Sequence, residues 1–244
     1  IKYDPNNWKN VPDVMKDRQG ILWFVLNGNG LVRYNPEDHS YKQYQHDPRD
    51  STSLTSDKIV SVFEDKSGVI WVGDISGGVN RLDRVNDTFK HYIRTIPCKK
   101  LFEDSEGILW IGTSAGLYRY HPKEDTFLPF FDPESDVGYL DIINIIEDDE
   151  RNLWMHNNSE LIRVNRSTGE AYVYSTKFGI VENSLTPLGF HKNRKGEFVL
   201  NHQKGFYTFY PKELAVNIFP LKIIITNFFI NALPVLAGNE SVLK

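Results

Sequence analysis

The chain has 244 residues, and its 28 Lys and Arg against 32 Asp and Glu give it a formal net charge of −4. Hydrophobic residues make up 40% and charged residues 25%, a composition typical of a folded globular protein and not of a disordered one. The longest apolar run, residues 221–225, is interrupted by Lys222, so no segment is long enough to span a bilayer. The mildly acidic balance argues against nucleic acid as a partner, and the single cysteine, Cys98, excludes an internal disulfide and a cysteine-based zinc site.

Four of the five tryptophans lie in the same local pattern. An Asp stands six residues before each of them, and in three copies a Gly stands three residues before the Trp. The copies run from Asp17 to Trp23, from Asp65 to Trp71, from Asp104 to Trp110 and from Asp148 to Trp154, with glycines Gly20, Gly68 and Gly107. A fifth copy, Asn193 to Val199, keeps its glycine as Gly196 but has neither Asp nor Trp. The spacings of 48, 39, 44 and 45 residues between anchors indicate an internal repeat.

Three further short segments accompany each anchor. The first segment precedes the anchor. The second comes after the anchor and has a sequence close to Gly-Leu-x-Arg-Tyr, and the third ends in aromatic residues. All have period-2 or continuous apolar character between turn residues, and none has a sustained 3.6-residue period. Four strands in about 45 residues are typical of one β-propeller blade, so the sequence predicts an all-β chain of four-stranded blades. We name the strands A to D from the inside outwards, with the tryptophan on strand B.

The simplest roles for the repeated residues are structural. A tryptophan at the same place in every blade is expected to pack between neighbouring blades, and the Asp is expected to cap a tight turn in which Gly takes a positive φ. Three copies contain a Glu-Asp pair that could suggest paired catalytic carboxylates. Adjacent strand residues point to opposite faces of a sheet, so the two carboxylates cannot converge on one substrate atom.

Candidate binding residues lie in the loops between strands B and C. These loops are rich in amide, hydroxyl and imidazole groups, which both donate and accept hydrogen bonds and therefore suit sugar hydroxyls. The candidates are Asn27, Asn29, Asp74, His156, Asn158 and His202. The loops between strand D and the next strand A add Ser53, Lys58, Lys99, Tyr139 and Asn183. The alternative is that all of these residues are solvated turn residues without a ligand.

Catalysis has little support in the sequence. No Gly-x-Ser-x-Gly elbow, phosphate-binding loop or His-Glu-x-x-His motif occurs, so no catalytic residue, cofactor or metal is predicted. His156 and His202 could share a metal, but they have no fixed carboxylate partner. Two alternatives to a ligand-binding domain stay open: a propeller-fold polysaccharide lyase or glycoside hydrolase, and a pure dimerisation module. A catalytic site would require convergent groups with shifted pKa values in one pocket.

The last part of the chain has a different character. Residues 219–244 contain no repeat anchor, and they predict a strand, a turn and a second strand. The expected division is a propeller portion over residues 1–218 and the start of a truncated, Ig-like β-sandwich over 219–244. Residues 1–5 resemble the end of a further strand C, and the sequence begins with neither Met nor a signal peptide. We therefore expect the chain to be a piece of a longer one.

The repeats resemble the two-component regulator propeller repeat. The family pattern of an acidic turn, Gly, an apolar residue, Trp-Ile-Gly-Thr and then Gly-Leu-x-Arg-Tyr is closely matched by residues 103–120 and nearly as well by 64–82. The tail is similar to the start of the β-sandwich with three characteristic tyrosines that follows such propellers. The resemblance covers nearly the whole chain, with departures at Arg151 in place of the turn glycine and at His156 and His202 in place of the usual Gly-Thr.

This resemblance implies the periplasmic sensor region of a hybrid two-component system. Family rings have seven blades, so the five anchors predict an open arc of about five blades. Such receptors have one membrane span and a histidine kinase outside this segment, and many sense breakdown products of complex glycans. The resemblance therefore implies a non-enzymatic segment that binds an oligosaccharide, self-associates as a dimer within its receptor, and contacts the membrane only through a span outside this chain.

Overall fold

The computed structural model of the protein describes residues 11–132, 134–135, 137–214, 228–230 and 233–235. Their regular structure is almost entirely β-strand, with two 3₁₀ turns at Thr176–Phe178 and Pro211–Glu213. In chain order the strands are β1 Asp13–Lys16, β2 Leu22–Leu26, β3 Gly30–Tyr34, β4 Tyr41–Tyr44, β5 Ile59–Glu64, β6 Ile70–Asp74, β7 Gly78–Asp83, β8 Thr88–Tyr92, β9 Cys98–Glu103, β10 Leu109–Thr113, β11 Gly116–His121, β12 Thr126–Pro129, β13 Asn144–Glu147, β14 Asn152–His156, β15 Leu161–Asn165, β16 Ala171–Tyr174, β17 Leu185–Lys192, β18 Phe198–His202, β19 Gly205–Phe209, β20 Phe228–Ile230 and β21 Leu233–Val235.

The strands form the blades that the repeat predicts. Strands β1–β4, β5–β8, β9–β12 and β13–β16 make four antiparallel sheets in sequential order, which we call blades 1 to 4. Strands β17–β19 make a three-stranded sheet, blade 5. The prediction of an all-β chain of four-stranded antiparallel blades is therefore confirmed for four copies, and the fifth has three strands in the residues described.

Each blade packs against the next through an apolar layer. Trp23 of blade 1 lies in one cluster with Ile70 of blade 2, and Trp154 of blade 4 lies in another with Phe198 of blade 5. Within the described residues, no strand of blade 5 joins the sheet of blade 1. The seven-bladed ring stays a prediction, and residues 1–5, read from the sequence as part of another blade, lie outside the described residues.

The four anchor tryptophans are buried at equivalent places in strand B, as predicted. Each is 0–1% exposed, and its indole Nε1 donates a hydrogen bond of 2.7–2.9 Å to the carboxylate of the Asp six residues earlier. The other oxygen of that carboxylate accepts the backbone amides two and four residues beyond the Asp. The Asp therefore caps the turn, as predicted, and also orients the indole, which the sequence pattern does not reveal. In blade 5, Asn193 caps the turn in the same way, and Val199 stands in the place of the tryptophan.

The turn after each Asp needs a left-handed residue. The glycines have φ values of 86°, 87°, 83° and 80°, at Gly20, Gly68, Gly107 and Gly196. In blade 4, Arg151 occupies this position with a φ of 66°. A side chain at such a φ brings its Cβ close to the carbonyl oxygen, so the arginine carries strain that the glycines avoid.

Gly68→Ala should lower the free energy of unfolding by about 1 kcal/mol. A Cβ at Gly68 would meet only the end of the Glu64 side chain, at 3.9 Å, so the cost comes from the backbone. Arg151→Gly should change stability in the opposite direction by less than about 1 kcal/mol, since it relieves the strain but loses a solvent-exposed ion pair with Glu106. Urea unfolding of both variants tests this, and a loss of stability in Arg151→Gly would contradict it.

The Glu-Asp pairs join neighbouring blades. While the Asp caps its own turn, the Glu accepts the backbone amide that follows the Asp of the preceding blade, at 2.8 Å in each case. Glu64 accepts the amide of Arg18, Glu103 that of Lys66, and Glu147 that of Ser105. At the junction of blades 4 and 5, the carboxylate lies on the preceding blade. Lys192 stands in the place of the Glu, and its Nζ lies 2.8 Å from Asp149 of blade 4. The carboxylates of each pair thus serve different turns and form no shared acid–base site.

An arginine reinforces two of the junctions, and its side chain is partly buried in the first and buried in the second. Arg84 of blade 2 contacts Asp17 of blade 1 at 3.0 Å, and Arg166 of blade 4 contacts Asp104 of blade 3 at 2.5 Å. Burial by itself would raise the pKa of Asp104. The hydrogen bond from Trp110, a backbone amide and the Arg166 charge outweigh it and hold that pKa below its usual range.

The chain divides into two compact units, Ile1–Leu214 and Ala215–Lys244. In the second unit, β20 and β21 form a two-stranded antiparallel sheet. The β-sandwich beginning near residue 219 stays a prediction. No helix in the described ranges has the length and apolarity needed to cross a bilayer.

Candidate ligand-binding site

Antiparallel blades place the B–C loops and the D–A loops at one end of the strands and the A–B and C–D turns at the other. Three of the six B–C candidates, Asn27, Asn29 and Asn158, are exposed at the first end. Their backbones are held by hydrogen bonds, such as the one from the Leu185 amide to the Asn158 carbonyl at 3.0 Å. Their side-chain amides make no hydrogen bond to another described residue, so they are free to meet a ligand.

Asp74 does not lie in the exposed position that the sequence analysis expected. It is 0% exposed, and its carboxylate accepts hydrogen bonds from Thr55 Oγ1 at 2.9 Å, Ser56 Oγ at 2.8 Å and the Ser76 amide at 2.6 Å. These donors come from the D–A loop before blade 2 and from the B–C loop itself. The buried carboxylate therefore ties the two loops together, and this role corrects its assignment as a surface contact for a ligand.

His156 is also buried, where an exposed loop residue was expected. It is 0% exposed, and its ring lies edge-on to Phe190 at 5.4 Å between centroids. Burial lowers the pKa of His156, although the backbone carbonyl of Asn157, 3.0 Å from Nδ1, partly opposes this. Because a carbonyl oxygen can only accept, Nδ1 donates this hydrogen bond, and Nε2 meets no partner among the described residues. The residue belongs to the packing between blades 4 and 5.

His202 remains partly exposed. Its ring lies 4.6 Å from that of Tyr207, and its Nδ1 accepts the Lys204 amide at 3.3 Å. The part of the chain that the structure describes contains no group of three or more His, Cys, Asp or Glu side chains that could hold a metal ion. His202 is thus available to a ligand as a single imidazole beside an aromatic ring.

The five D–A residues divide by exposure. Lys58 and Tyr139 are exposed, the latter by 69%. Ser53 and Asn183 are hydrogen-bonded to neighbouring loop residues, and Lys99 pairs with a carboxylate of blade 4 at 2.6 Å. The candidates that are exposed or partly exposed and unpaired are therefore amides, one imidazole, one lysine and one tyrosine.

A small cavity lies at the opposite end of the strands. It is bounded by Asp148, Glu150, Lys195, Tyr210 and Pro211, between blades 4 and 5, and encloses about 70 Å³. Three of the five residues that bound the cavity are charged. It contains none of the residues proposed for binding from the sequence.

The most strongly shifted carboxyl group lies at the outer edge of blades 2 and 3. Asp125 accepts hydrogen bonds from Arg81 at 2.8 Å, Tyr92 at 2.7 Å and Tyr120 at 2.6 Å, and Lys90 contacts it at 2.5 Å. Burial acts to raise its pKa, but these four donors hold it well below the usual range. All four donors are taken up by the one carboxylate, so this cluster joins the two blades and is not a catalytic pocket.

The family model for the two component regulator propeller matches residues 53–76 and 96–115, which span strands A and B of blades 2 and 3. Over these two segments the chain is similar to two-component regulator propeller repeats. Histidine kinase P4 of Formosa agariphila is 28% identical to it in a 240-residue alignment that covers 93% of this chain and 17% of the kinase. The propeller chain thus spans about a sixth of the length of that curated relative.

Two solved structures from B. thetaiotaomicron have a similar fold. One is the extracellular domain of a putative one component system, with a TM-score of 0.70 and 23% identity over 85% of this chain and 31% of that chain. The other is the extracellular domain of a putative hybrid two component system, with a TM-score of 0.66 and 18% identity over 86% of this chain and 29% of that chain. At these identities the likeness establishes the propeller fold.

Proposed function

We propose that this propeller is part of the extracytoplasmic, periplasmic sensor of a hybrid two-component receptor whose histidine kinase lies outside this chain. The observation that carries the proposal is the match of its blades to two-component regulator propeller repeats, together with similarity to a histidine kinase over 93% of the chain. On this proposal the segment has no chemistry of its own. A bound ligand changes the output because it has a higher affinity for one receptor state than for another.

The exposed B–C surface favours a hydroxyl-rich ligand, and we propose an oligosaccharide. Asn27, Asn29, Asn158 and His202 offer donors and acceptors, and Tyr139 offers an aromatic face for a sugar ring. Asp74 and His156 support this surface from below through their loop contacts. Carbohydrate is thus recognised by side chains, and no metal or cofactor takes part.

A thermal-shift screen of the receptor's extracytoplasmic region against oligosaccharides tests the proposal. A ligand present at 100 times its dissociation constant should add about 2.7 kcal/mol to the free energy of unfolding. Asn158→Ala and His202→Ala should each weaken the response without lowering the melting temperature of the free protein. Glu124→Ala is the matched control, because Glu124 is exposed on a C–D turn at the opposite end of the strands.

The outcomes separate the competing functions. Turnover of an oligosaccharide by the purified segment would favour the lyase or hydrolase alternative. A dimer that forms with full signalling and without any ligand would favour the dimerisation module. Wild-type response in both Asn158→Ala and His202→Ala would exclude the B–C surface as the binding site.

A further inference from the structure

The outer edge of the propeller carries a repeated carboxylate latch between blades. A tyrosine near the end of strand D donates its hydroxyl to an aspartate in the C–D turn of the next blade. The distances are 2.6 Å from Tyr44 to Asp87 and 2.7 Å from Tyr92 to Asp125. At the second junction the strand C arginine, Arg81, also donates to Asp125. The latch therefore combines a tyrosine hydroxyl and a cation with one carboxylate.

The junction of blades 3 and 4 lacks both halves of this latch. Phe130 takes the place of the tyrosine, and its ring packs against Trp110 at 5.0 Å. In blade 4, Gly169 takes the place of the aspartate, with a φ of 76°, and Asp87 and Asp125 also have positive φ values, of 58° and 48°. At the first three junctions, the hydroxyl is thus present where a carboxylate faces it and absent where none does.

Blade 4 keeps the donors, but no described carboxylate meets them. Tyr174 stacks on Trp154 at 5.7 Å and is 3% exposed, and its hydroxyl meets no acceptor among the described residues. Arg163 of strand C has a buried Nε that is also without a partner. In blade 5, Leu214 stands in the place of the aspartate, nine positions after Gly205. The fourth latch is therefore complete except for its acceptor.

The two donors lie close to each other. Burial raises the pKa of Tyr174, and the neighbouring charge of Arg163 opposes that rise. The Arg163 guanidinium lies over the ring of Tyr172 at 5.3 Å. The Glu170 carboxylate accepts a hydrogen bond from the Tyr172 hydroxyl at 2.5 Å. On the outside, Phe178 packs against Tyr174 at 5.1 Å and is 54% exposed. One exposed aromatic side chain therefore covers the Tyr174 ring.

A buried hydroxyl without a partner is costly, and a tyrosine is retained here where blade 3 has a phenylalanine. We infer that Arg163 and Tyr174 form a binding site for a carboxylate supplied from outside the described residues. Arginine and a phenol hydroxyl supply the donors that a carboxylate accepts, as Arg81 and Tyr92 do for Asp125. The carboxylate can belong to an acidic sugar or to an Asp or Glu of another polypeptide segment, and the ligand chemistry is the same in both cases.

Side-chain NMR of the arginine Nε–H groups tests the inference on the 244-residue chain. The Arg163 signal, assigned with Arg163→Lys, should shift and saturate on titration with sodium glucuronate or sodium acetate but not with sodium chloride. Tyr174→Phe should weaken the binding about tenfold while leaving the fold intact. Arg119→Lys is the matched control, since Arg119 holds the same strand C position in blade 3, where Phe130 replaces the tyrosine, and it should leave the titration unchanged.

A second arm distinguishes the two sources of the carboxylate. If an Asp or Glu of the receptor occupies the site, the Arg163 signal of the longer receptor chain should already lie at the carboxylate-bound position and should not respond to acetate. The inference is wrong if neither carboxylate shifts the Arg163 signal of the 244-residue chain and if the Arg163 signal of the longer chain lies at that same, carboxylate-free position. The B–C surface takes no part in this test, so its result is independent of the proposed sugar site.

Discussion

Asp104→Ala should lower the free energy of unfolding by about 3–5 kcal/mol, because it removes one partner of a buried ion pair. The carboxylate is 1% exposed, holds the Trp110 indole at 2.8 Å, and lies 2.5 Å from Arg166, whose side chain is 6% exposed. The variant leaves the indole N–H without its acceptor and the arginine with weaker contacts only. Urea unfolding of the wild type and the variant measures the loss.

Asp65→Ala is the matched control for this prediction. Asp65 holds Trp71 at 2.8 Å in the same way, but no arginine pairs with its carboxylate in the described structure. It should therefore cost only about 2 kcal/mol, from the unpaired indole and turn amides. Adding Arg166→Met to Asp104→Ala should recover part of the loss, because it removes a buried charge that has lost its buried partner and keeps only Glu106, at 2.7 Å, and Glu147, at 3.5 Å. Equal losses in the two alanine variants would show that the arginine contributes nothing.

Acidification provides a second readout of Asp104. A carboxyl group with a lowered pKa in the folded state contributes its full stabilisation above its unfolded pKa of about 3.9, and that contribution is lost as the pH falls through the folded-state pKa. The difference in stability between wild type and Asp104→Ala should therefore be constant above about pH 4. It should shrink as the pH is lowered further.

Asp125→Ala should lower the free energy of unfolding by about 2 kcal/mol. The change removes the acceptor shared by Arg81, Lys90, Tyr92 and Tyr120, but part of this network is open to solvent, which reduces the cost. The loss should separate blades 2 and 3 at their outer edge. Hydrogen exchange of the amides in strands β8 and β12 should therefore quicken more than that of the inner strands.

Asp87→Ala is the control for the second prediction. Among the described residues, Asp87 accepts hydrogen bonds from Lys42 and Tyr44 alone, at 2.7 and 2.6 Å, so its removal should cost about half as much. Tyr92→Phe removes one donor to Asp125 and should also lower the free energy of unfolding. Tyr174→Phe should not lower it in the chain without a bound carboxylate. A larger effect at Asp87 than at Asp125 would contradict the ranking by number of donors.

The residues at equivalent positions differ from one blade junction to the next, so each blade fits a particular neighbour. The amide-accepting Glu of blades 2 to 4 becomes Lys192 in blade 5, and the residue that it faces becomes Asp149. Arginine clamps occur at the first and third junctions, whereas the equivalent positions at the second and fourth are Pro122 and Pro211. Each blade is thus matched to one partner, since opposite charges favour that pairing and like charges oppose others.

The blade architecture follows from the sequence alone, because local chemistry decides it. The Asp-to-Trp offset and Gly68 or Gly107 in the turn reveal the repeat within short segments, and alternating apolar residues define the strands. Turn geometry and strand periodicity depend on residues a few positions apart, so no knowledge of the neighbouring blade is needed. The burial of the four tryptophans was predictable for the same reason.

Only the tertiary structure decides what faces what between blades. Asp74 and Asn158 look equally polar in the sequence, yet the first is buried under three donors and the second is exposed. The pairing of Asp104 with Arg166 joins residues 62 positions apart, and the unpartnered Tyr174 hydroxyl is evident only beside the completed latches. Such contacts depend on the register of one sheet against the next, which the packing of whole blades sets and which no local pattern encodes.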